Sequence, residues 1–490
     1  MSDLISIAGA KVSPDHYING RRRASKEHFE VFSPIDMAIL GQVSLGDAED
    51  VSAAVGAAQA AFPAWAALGA EGRLPFLMRF VEEIEKRSEA FCQVESHDAG
   101  VLLSRMQHGI VPRAMLNISW FAHEALKLQD RTLETPQATH LIRHDPSGVC
   151  AIITPWNAPL MLTTWKAGPA LASGNTVVVK PPEWAPLTCS LLADAADAAG
   201  LPPGVFNVVQ GTGALTGAAL VADKRLARIS FTGSAPTARL IAQSAGANLT
   251  PVSLELGGKS PFIVLPDADL DAAAATGALM YRNATQVCLA GTRFLVHASV
   301  KDDFIARMGA IVDRLVIGDP RDPATEVGPI IHPRQLDRVR GYVERAKAAG
   351  AQTLWGGDRH DFGELFYRPT MLTGVGQHDE IVQEEVFGPV LVLQTFTSDD
   401  EAIVLANDVD YGLGGVCFGE ADHARAVAEQ VRTGFIWVNA FGIRDLAAPF
   451  GGCKRSGVGR EGGDWSFDFF CDVKDVILPK QPFKPSFAHR

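Results

Sequence analysis

Val149-Cys150-Ala151-Ile152-Ile153-Thr154-Pro155-Trp156-Asn157-Ala158-Pro159 opens with a short apolar run and closes on turn residues. Such a run reads as a buried strand, and a helical stretch follows Pro159. The same rhythm continues downstream. Thr176-Val177-Val178-Val179 is β-branched, and a helix follows Pro186. Val205-Phe206-Asn207-Val208-Val209 and Arg228-Ile229-Ser230-Phe231 are the next strands. Strands alternating with helices build a mostly parallel sheet covered on both faces, so the stretch predicts a doubly wound α/β fold.

On the N-terminal side, residues 17–45 alternate apolar runs with turn residues and read as short strands and hairpins. From Asp47 the pattern becomes helical, with Val51, Val55, Ala58 and Phe62 on one face behind acidic residues suited to a helix start. A second helix is expected from about 72 to 88, and a third from about 102 to 125, carrying Arg113. On the C-terminal side, Pro261-Phe262-Ile263-Val264-Leu265 restarts the rhythm, which predicts a second α/β unit ending near residue 446. Segments 134–147 and 471–490 fit neither rhythm, and 480–490 has the look of a tail.

With 490 residues there is ample length for two to four domains. A net charge of -12 argues against non-specific binding to nucleic acid or to an anionic membrane. Seven scattered cysteines without a CxxC argue against a disulfide framework or zinc knuckle and favour a reducing compartment. No run approaches the ~18 apolar residues of a spanning helix, and no signal pattern opens the chain. A soluble, cytoplasmic protein without a metal centre is expected.

The chemistry-bearing stretches are individually weak. No GxGxxG stands in the expected place, since Gly211-Thr212-Gly213 lacks its third glycine. Phe231-Thr232-Gly233-Ser234 joins a strand end to a helix start, where backbone N–H groups can hold a phosphate. Lys180-Pro181-Pro182-Glu183 follows a strand, and a carboxylate there can accept ribose hydroxyls and repel a 2′-phosphate. Asn157 is either a helix cap or an amide that donates to a developing oxyanion. Asn283-Ala284-Thr285-Gln286-Val287-Cys288-Leu289-Ala290-Gly291-Thr292-Arg293 sets a thiol among small and polar residues. Leu254-Glu255-Leu256-Gly257-Gly258-Lys259-Ser260-Pro261 sets a carboxylate beside two glycines. A lone cysteine is more often a small buried hydrophobe than a nucleophile, and a lone glutamate more often a surface charge.

Together with Glu384-Glu385-Val386-Phe387-Gly388-Pro389, Pro449-Phe450-Gly451-Gly452 and Arg455-Ser456-Gly457-Val458-Gly459-Arg460-Glu461, these segments resemble the NAD(P)-dependent aldehyde dehydrogenase superfamily. The resemblance covers nearly the whole chain, in the family's order and close to its spacings. It implies Cys288 as nucleophile, Glu255 as general base, and Asn157 with the backbone N–H of Cys288 as oxyanion hole. It implies Lys166 and Glu461 as a pair for proton relay or site support. For the cofactor it implies Lys180 and Glu183 at the adenosine ribose, Gly233 and Ser234 at the pyrophosphate, and Glu385 and Phe387 on the nicotinamide side. Ile153, Thr154, Pro155, Trp156, Leu256 and Gly257 complete that set. NAD is the implied cofactor, favoured over NADP by the charge of Glu183. Glu255 also speaks against a CoA-acylating member, which needs no hydrolytic base.

The implied organisation is a cofactor domain from 1–133 and 148–252 and a catalytic domain from 253–446. Residues 447–470 return to the active-site rim. A small β-element from 134–147 and 471–490 would assemble a homodimer or homotetramer. The chain departs from the family at Ala238, where a glycine is frequent, at Ala235-Pro236, and at Ala158, where an aromatic is frequent. Arg444-Asp445-Leu446, Pro112-Arg113-Ala114 and Trp156-Asn157-Ala158-Pro159-Leu160 resemble a subgroup acting on muconate-type semialdehydes, such as 2-hydroxymuconate semialdehyde and its 5-carboxymethyl relative. That likeness implies Arg113, Arg444, Trp165, Val287 and Leu289 as substrate contacts, with the arginines free to grip a distal carboxylate. The alternatives are a dehydrogenase of neutral aromatic or aliphatic aldehydes and a non-catalytic member of the fold. The mark of the latter would be a missing thiol or base, and both are present.

Overall fold

A computed structural model of the chain describes residues 2–128 and 130–483. Its centre is an eight-stranded sheet in the order Gly457–Val458, Val252–Leu256, Leu226–Gly233, Val149–Ile153, Thr176–Lys180, Phe206–Val208, His16–Ile18, Arg21–Arg23. The five strands from Val252–Leu256 to Phe206–Val208 are parallel, and the flanking ones antiparallel. The strand order reverses beside Val149–Ile153. Successive strands step to one side of it, then Leu226–Gly233 pairs on the other. Open α/β sheets bind ligands beyond the carboxyl ends of their strands at such a switch point.

A second sheet of seven strands runs Gln352–Trp355, Thr370–Thr373, Val390–Phe396, Gly291–His297, Ser260–Val264, Val416–Phe418, Trp437–Val438. All its pairings are parallel except that of Gln352–Trp355. A third, antiparallel sheet joins Arg131–Glu134, Ala138–Pro146 and Cys471–Pro479. The segment expected from 134 therefore begins three residues earlier, and residues 484–490 of the expected element lie outside the described residues.

Three expectations need correction. Val252–Leu256 pairs in parallel with Leu226–Gly233, so the crossing between the two large sheets falls after Leu256 and not at 252/253. The expected helix 72–88 is Gly69–Lys86, and a further helix, Ser88–Ala99, follows it. The helix expected over 102–125 is interrupted by a π turn at Met106–Ile110, between Leu103–Arg105 and Val111–Glu124.

Asp47 opens Ala48–Ala67 through a capping box in which its carboxylate accepts from the Glu49 and Asp50 N–H groups. Ser88–Ala99 carries charges inward, because Glu95 and Asp98 are fully buried. Glu95 accepts from Leu160 N at 3.0 Å and Asp98 from Leu187 N at 2.7 Å. One helix thereby caps the first turns of two others, Pro159–Ala172 and Leu187–Ala198. No single helix among the described residues is long and apolar enough to cross a membrane.

Candidate active site

Two cavities meet at Cys288. A cleft of about 470 Å³ lies at the switch point and is lined by Pro155, Trp156, Gly233, Ser234, Leu256, Gly257, Glu385 and Phe387, among others. A chamber of about 480 Å³ opens on the other side, lined by Glu255, Glu461, Trp165, Val287, Leu289, Arg113 and Arg444. Asn157, Leu256 and Cys288 belong to both walls. The sulfur thus borders two cavities.

The loop that presents Cys288 is bent against its own chirality. Asn283, Ala284 and Thr285 are all left-handed, with φ of 54°, 50° and 55°. Gln286 staples the loop in place. Its side chain donates to the carbonyls of Asn283 and Pro329, both at 3.1 Å, and accepts from Ile331 N at 2.9 Å. Asn157 donates to Gln286 O at 2.8 Å. Its amide has a second N–H, for which no described residue is an acceptor. Thr285 is the least suited of the three to this geometry, being β-branched and buried with its hydroxyl unpartnered. A left-handed L-residue costs roughly 1–2 kcal/mol, and glycine's extra chain entropy returns part of any gain. Thr285→Gly is therefore expected to stabilise the fold by about 1 kcal/mol, raising Tm by about 1 °C in a calorimetric scan. An unchanged or lower Tm would show that the threonine packs better than its backbone suggests.

Burial pushes the Cys288 thiol up to about 12, with Arg444 opposing the shift and Glu385 and Glu255 adding to it. Glu255 is 3% exposed, and neither of its carboxyl oxygens has a hydrogen-bond partner. Desolvation, then the charge of Glu461, raises it well above the usual carboxylate range, against Lys166, Arg460 and Arg444. A Cβ at Gly451 would lie 2.7 Å from Glu255 Oε1, so the bare backbone there makes room for the carboxyl. Behind it, Glu461 accepts from Lys166 Nζ at 2.5 Å, from Ser230 Oγ at 3.2 Å and from Trp165 Nε1. This is a buried, well-partnered acid whose indole donor also forms a wall of the chamber.

The cleft suits a dinucleotide. Ser234 caps the 14-residue helix Ala235–Asn248 and lines the cleft with Ala235 and Pro236; Pro236 has no N–H and the Thr237 N–H bonds Ser234 Oγ, which leaves the Ala235 N–H to meet an anion. Glu385 accepts from Gly258 N at 2.9 Å, and a Cβ on Gly257 would overlap its other oxygen. Phe387 stands edge-on to Trp156 at 5.2 Å. Lys180 is fully enclosed at its strand end, and Ile153 and Thr154 are buried behind the wall. Glu183 lies in a neighbouring hollow with Trp184 and Thr212, where its carboxylate accepts from Gly213 N at 2.6 Å. Burial lowers Lys180 to about 8, with Glu183 opposing.

Arg113 and Arg444 converge on Trp165, their guanidinium carbons 5.4 and 5.1 Å from its ring, and Arg444 also lies 3.9 Å over Phe450. Arg113 donates to Asn117 Oδ1 at 3.0 Å and to Arg444 O at 3.4 Å, while its Nη2 is buried without a partner. No carboxylate of the described residues lies within 4 Å of either guanidinium. Burial, then the charge of Arg113, lowers Arg444 to about 10.

Sequence reasoning missed Gln286, Gly451, Trp184 and Arg105. A buried amide that satisfies three backbone groups leaves no periodic trace. Arg105 stood in an unremarkable helix until the π turn reoriented it.

The model of the aldehyde dehydrogenase family matches residues 21–476. The chain is similar to a 2-aminomuconic semialdehyde dehydrogenase of Danio rerio, 38% identical over 479 residues, 95% of this chain and 98% of the relative. It is also 38% identical, over 480 residues, to a 2-hydroxymuconic semialdehyde dehydrogenase of Pseudomonas sp. strain CF600, covering 94% and 99% of the two chains. Among solved structures, indole-3-acetaldehyde dehydrogenase of P. syringae, a mutant in complex with NAD+ and IAA, superposes with a TM-score of 0.94 at 37% identity, over 96% of this chain and 97% of the other. With a thiol where two cavities meet and these likenesses over nearly its full length, the chain belongs to the aldehyde dehydrogenase family.

Proposed function

We propose that this aldehyde dehydrogenase uses NAD to oxidise a carboxylated semialdehyde, of the kind released by aromatic-ring cleavage, to the acid through Cys288. The observation that carries the substrate class is the pair Arg113 and Arg444, facing the chamber with no carboxylate of the described residues within 4 Å of either guanidinium. A partly buried cation without a contacting counter-charge is costly, and an incoming carboxylate lowers that cost. The two muconic relatives support the same class.

The Cys288 sulfur, its proton passed to solvent, attacks the aldehyde carbon; the S–C bond of a thiohemiacetal forms as the carbonyl π pair moves onto oxygen. The oxygen that becomes negative is held by the free N–H of Asn157 and the backbone N–H of Cys288, a type of donor worth about 3 kcal/mol each in the transition state. When bound in the cleft, NAD supplies the hydride acceptor. Loss of hydride leaves a thioester on Cys288. Glu255, once ionised, takes a proton from water as that water attacks the thioester carbon and the thiol leaves. Lys166 and Glu461 hold Trp165 and the floor of the chamber behind Glu255. Glu183, anchored near Thr212, favours a ribose without a 2′-phosphate.

The unpaired cysteines support a reducing, cytoplasmic setting. The exposed apolar residues Leu133, Val473, Ile477 and Leu478 support a homodimer or homotetramer joined through the three-stranded sheet.

Arg444→Gln and Arg113→Gln are each expected to raise KM for 6-oxohexanoate about 10- to 100-fold, the span of a charge-assisted hydrogen bond, while KM for hexanal stays within about twofold. Initial rates of NADH formation read both. Equal effects on the two aldehydes would remove the carboxylate grip. They would favour a neutral aromatic or aliphatic substrate, which the apolar walls at Val287, Leu289 and Phe450 also suit.

A further inference from the structure

Arg444 sits on a loop that its own backbone barely supports. The loop leaves the sheet after Trp437–Val438 and runs to Leu446. Its entry is fixed at Asn439, whose side chain accepts from Gly419 N at 3.0 Å and donates to Gly419 O at 2.8 Å. Its exit is fixed at Leu446, whose carbonyl accepts from Gly463 N at 2.7 Å. From Ala440 to Arg444, no backbone group bonds to another backbone group of the described residues. Two side-chain donors hold this stretch instead. Trp437 Nε1 donates to Ile443 O at 2.8 Å, and Arg113 Nη1 donates to Arg444 O at 3.4 Å.

The two donors are unequal. The Arg113 bond is long, and under the proposed function that side chain also turns to the substrate. Trp437 lines neither the cleft nor the chamber, and its one polar atom is committed to Ile443 O. The Ile443 side chain is 74% exposed, so its carbonyl and not its packing ties the loop down. The same indole supports the far end of Arg444. It stands edge-on to Phe435 at 4.9 Å, Phe435 stacks on Phe450 at 5.2 Å, and Phe450 lies 3.9 Å beneath the Arg444 guanidinium. Phe435 is pressed against bare backbone, since a Cβ at Gly414 would lie 2.7 Å from its ring. A long side chain binds an anion best when its rotamers are already restricted.

We propose that Trp437 is a positioning residue for Arg444, fixing its main chain through the indole N–H and its guanidinium through the stack of Phe435 and Phe450. This rests on the reading that Arg444 grips a substrate carboxylate. A side chain outside both cavities thereby sets the preference for charged over neutral aldehydes.

Trp437→Phe removes the N–H and keeps an aromatic ring against Phe435 and Phe441. In the full-length enzyme it should raise KM for 6-oxohexanoate about three- to tenfold, the range of one hydrogen bond, with kcat and the KM for hexanal within about twofold. In an Arg444→Gln background the same substitution should add nothing, because a residue that acts through another is silent once that other is gone. A merely structural tryptophan would weaken both aldehydes, or add its effect to that of Arg444→Gln. Either result overturns the positioning role, as does an unchanged KM for 6-oxohexanoate. Thermal melts identify a variant that is merely unstable. Phe435→Leu, which takes the stacked ring from Phe450 and leaves the indole in place, then carries the same test with the same expected pattern. Should Arg444→Gln separate 6-oxohexanoate from hexanal while these variants do not, the positioning role falls alone. If Arg444→Gln separates nothing, the reading beneath it fails as well.

Discussion

Cys288→Ala is expected to lower kcat by on the order of 10⁵-fold or more, the scale on which removal of a covalent nucleophile is felt. NAD affinity, read by calorimetry, should stay within about twofold, because the sulfur contributes only one edge of a long cleft. The other thiols cannot substitute. Cys92, Cys150, Cys189, Cys417 and Cys471 are buried. Cys453 is half-buried, but it is spent on the carbonyls of Gly412 and Arg432, at 3.4 and 3.2 Å, and lines neither cavity. Cys453→Ala is the matching control and should be nearly silent. Aldehyde oxidation by Cys288→Ala at an undiminished rate would mean that the two cavities meet at this sulfur for some other reason.

The second large effect is at Glu255. Glu255→Gln should allow the first half-reaction and block the second, because glutamine cannot take a proton from water. Rapid mixing should show a burst close to one NADH per subunit, followed by steady turnover reduced about 10²- to 10⁴-fold. Mass spectrometry of the stalled enzyme should find the acyl group on Cys288. The wild-type pH profile follows from burial. A carboxyl raised well above its usual range is largely a neutral acid near its ordinary titration point, so the hydrolytic rate climbs as pH rises through the elevated value. Losing the carboxyl should remove that climb from the hydrolytic step. If the variant shows no burst and both half-reactions slow together, Glu255 instead deprotonates the thiol.

How far these residues could be read from the chain alone varies with the physics involved. The parallel strands were legible because strands buried on both faces are continuous apolar runs, as at Val177 to Val179. Ser88–Ala99 was hidden because Glu95, Ser96 and Asp98 face inward, which erases the polar-outside pattern of a helix. The sheet to which Val252–Leu256 belongs is fixed by hydrogen bonds to a strand some twenty residues upstream, and no local pattern encodes that pairing. Cys288, Glu255 and Asn157 were singled out by family likeness, since taken alone each has a commoner explanation. What only coordinates supply is that the three share one chamber and that Arg113 and Arg444 share one indole. A π turn is one residue too many in a helix, and nothing in Met106 to Ile110 announces it.

The helix Ser88–Ala99 has a consequence for the spacing of the whole catalytic apparatus. Its two inward acids stand three residues apart, about 4.5 Å of axial rise, and each is tied to the opening turn of a different helix. One of those turns begins just past Asn157, the other just past Glu183. A rod that lines neither cavity therefore acts as a ruler between Asn157 and Glu183. Lengthening it by a single residue between 95 and 98 would shift one mark against the other, and Asn157 and Glu183 would lose alignment together.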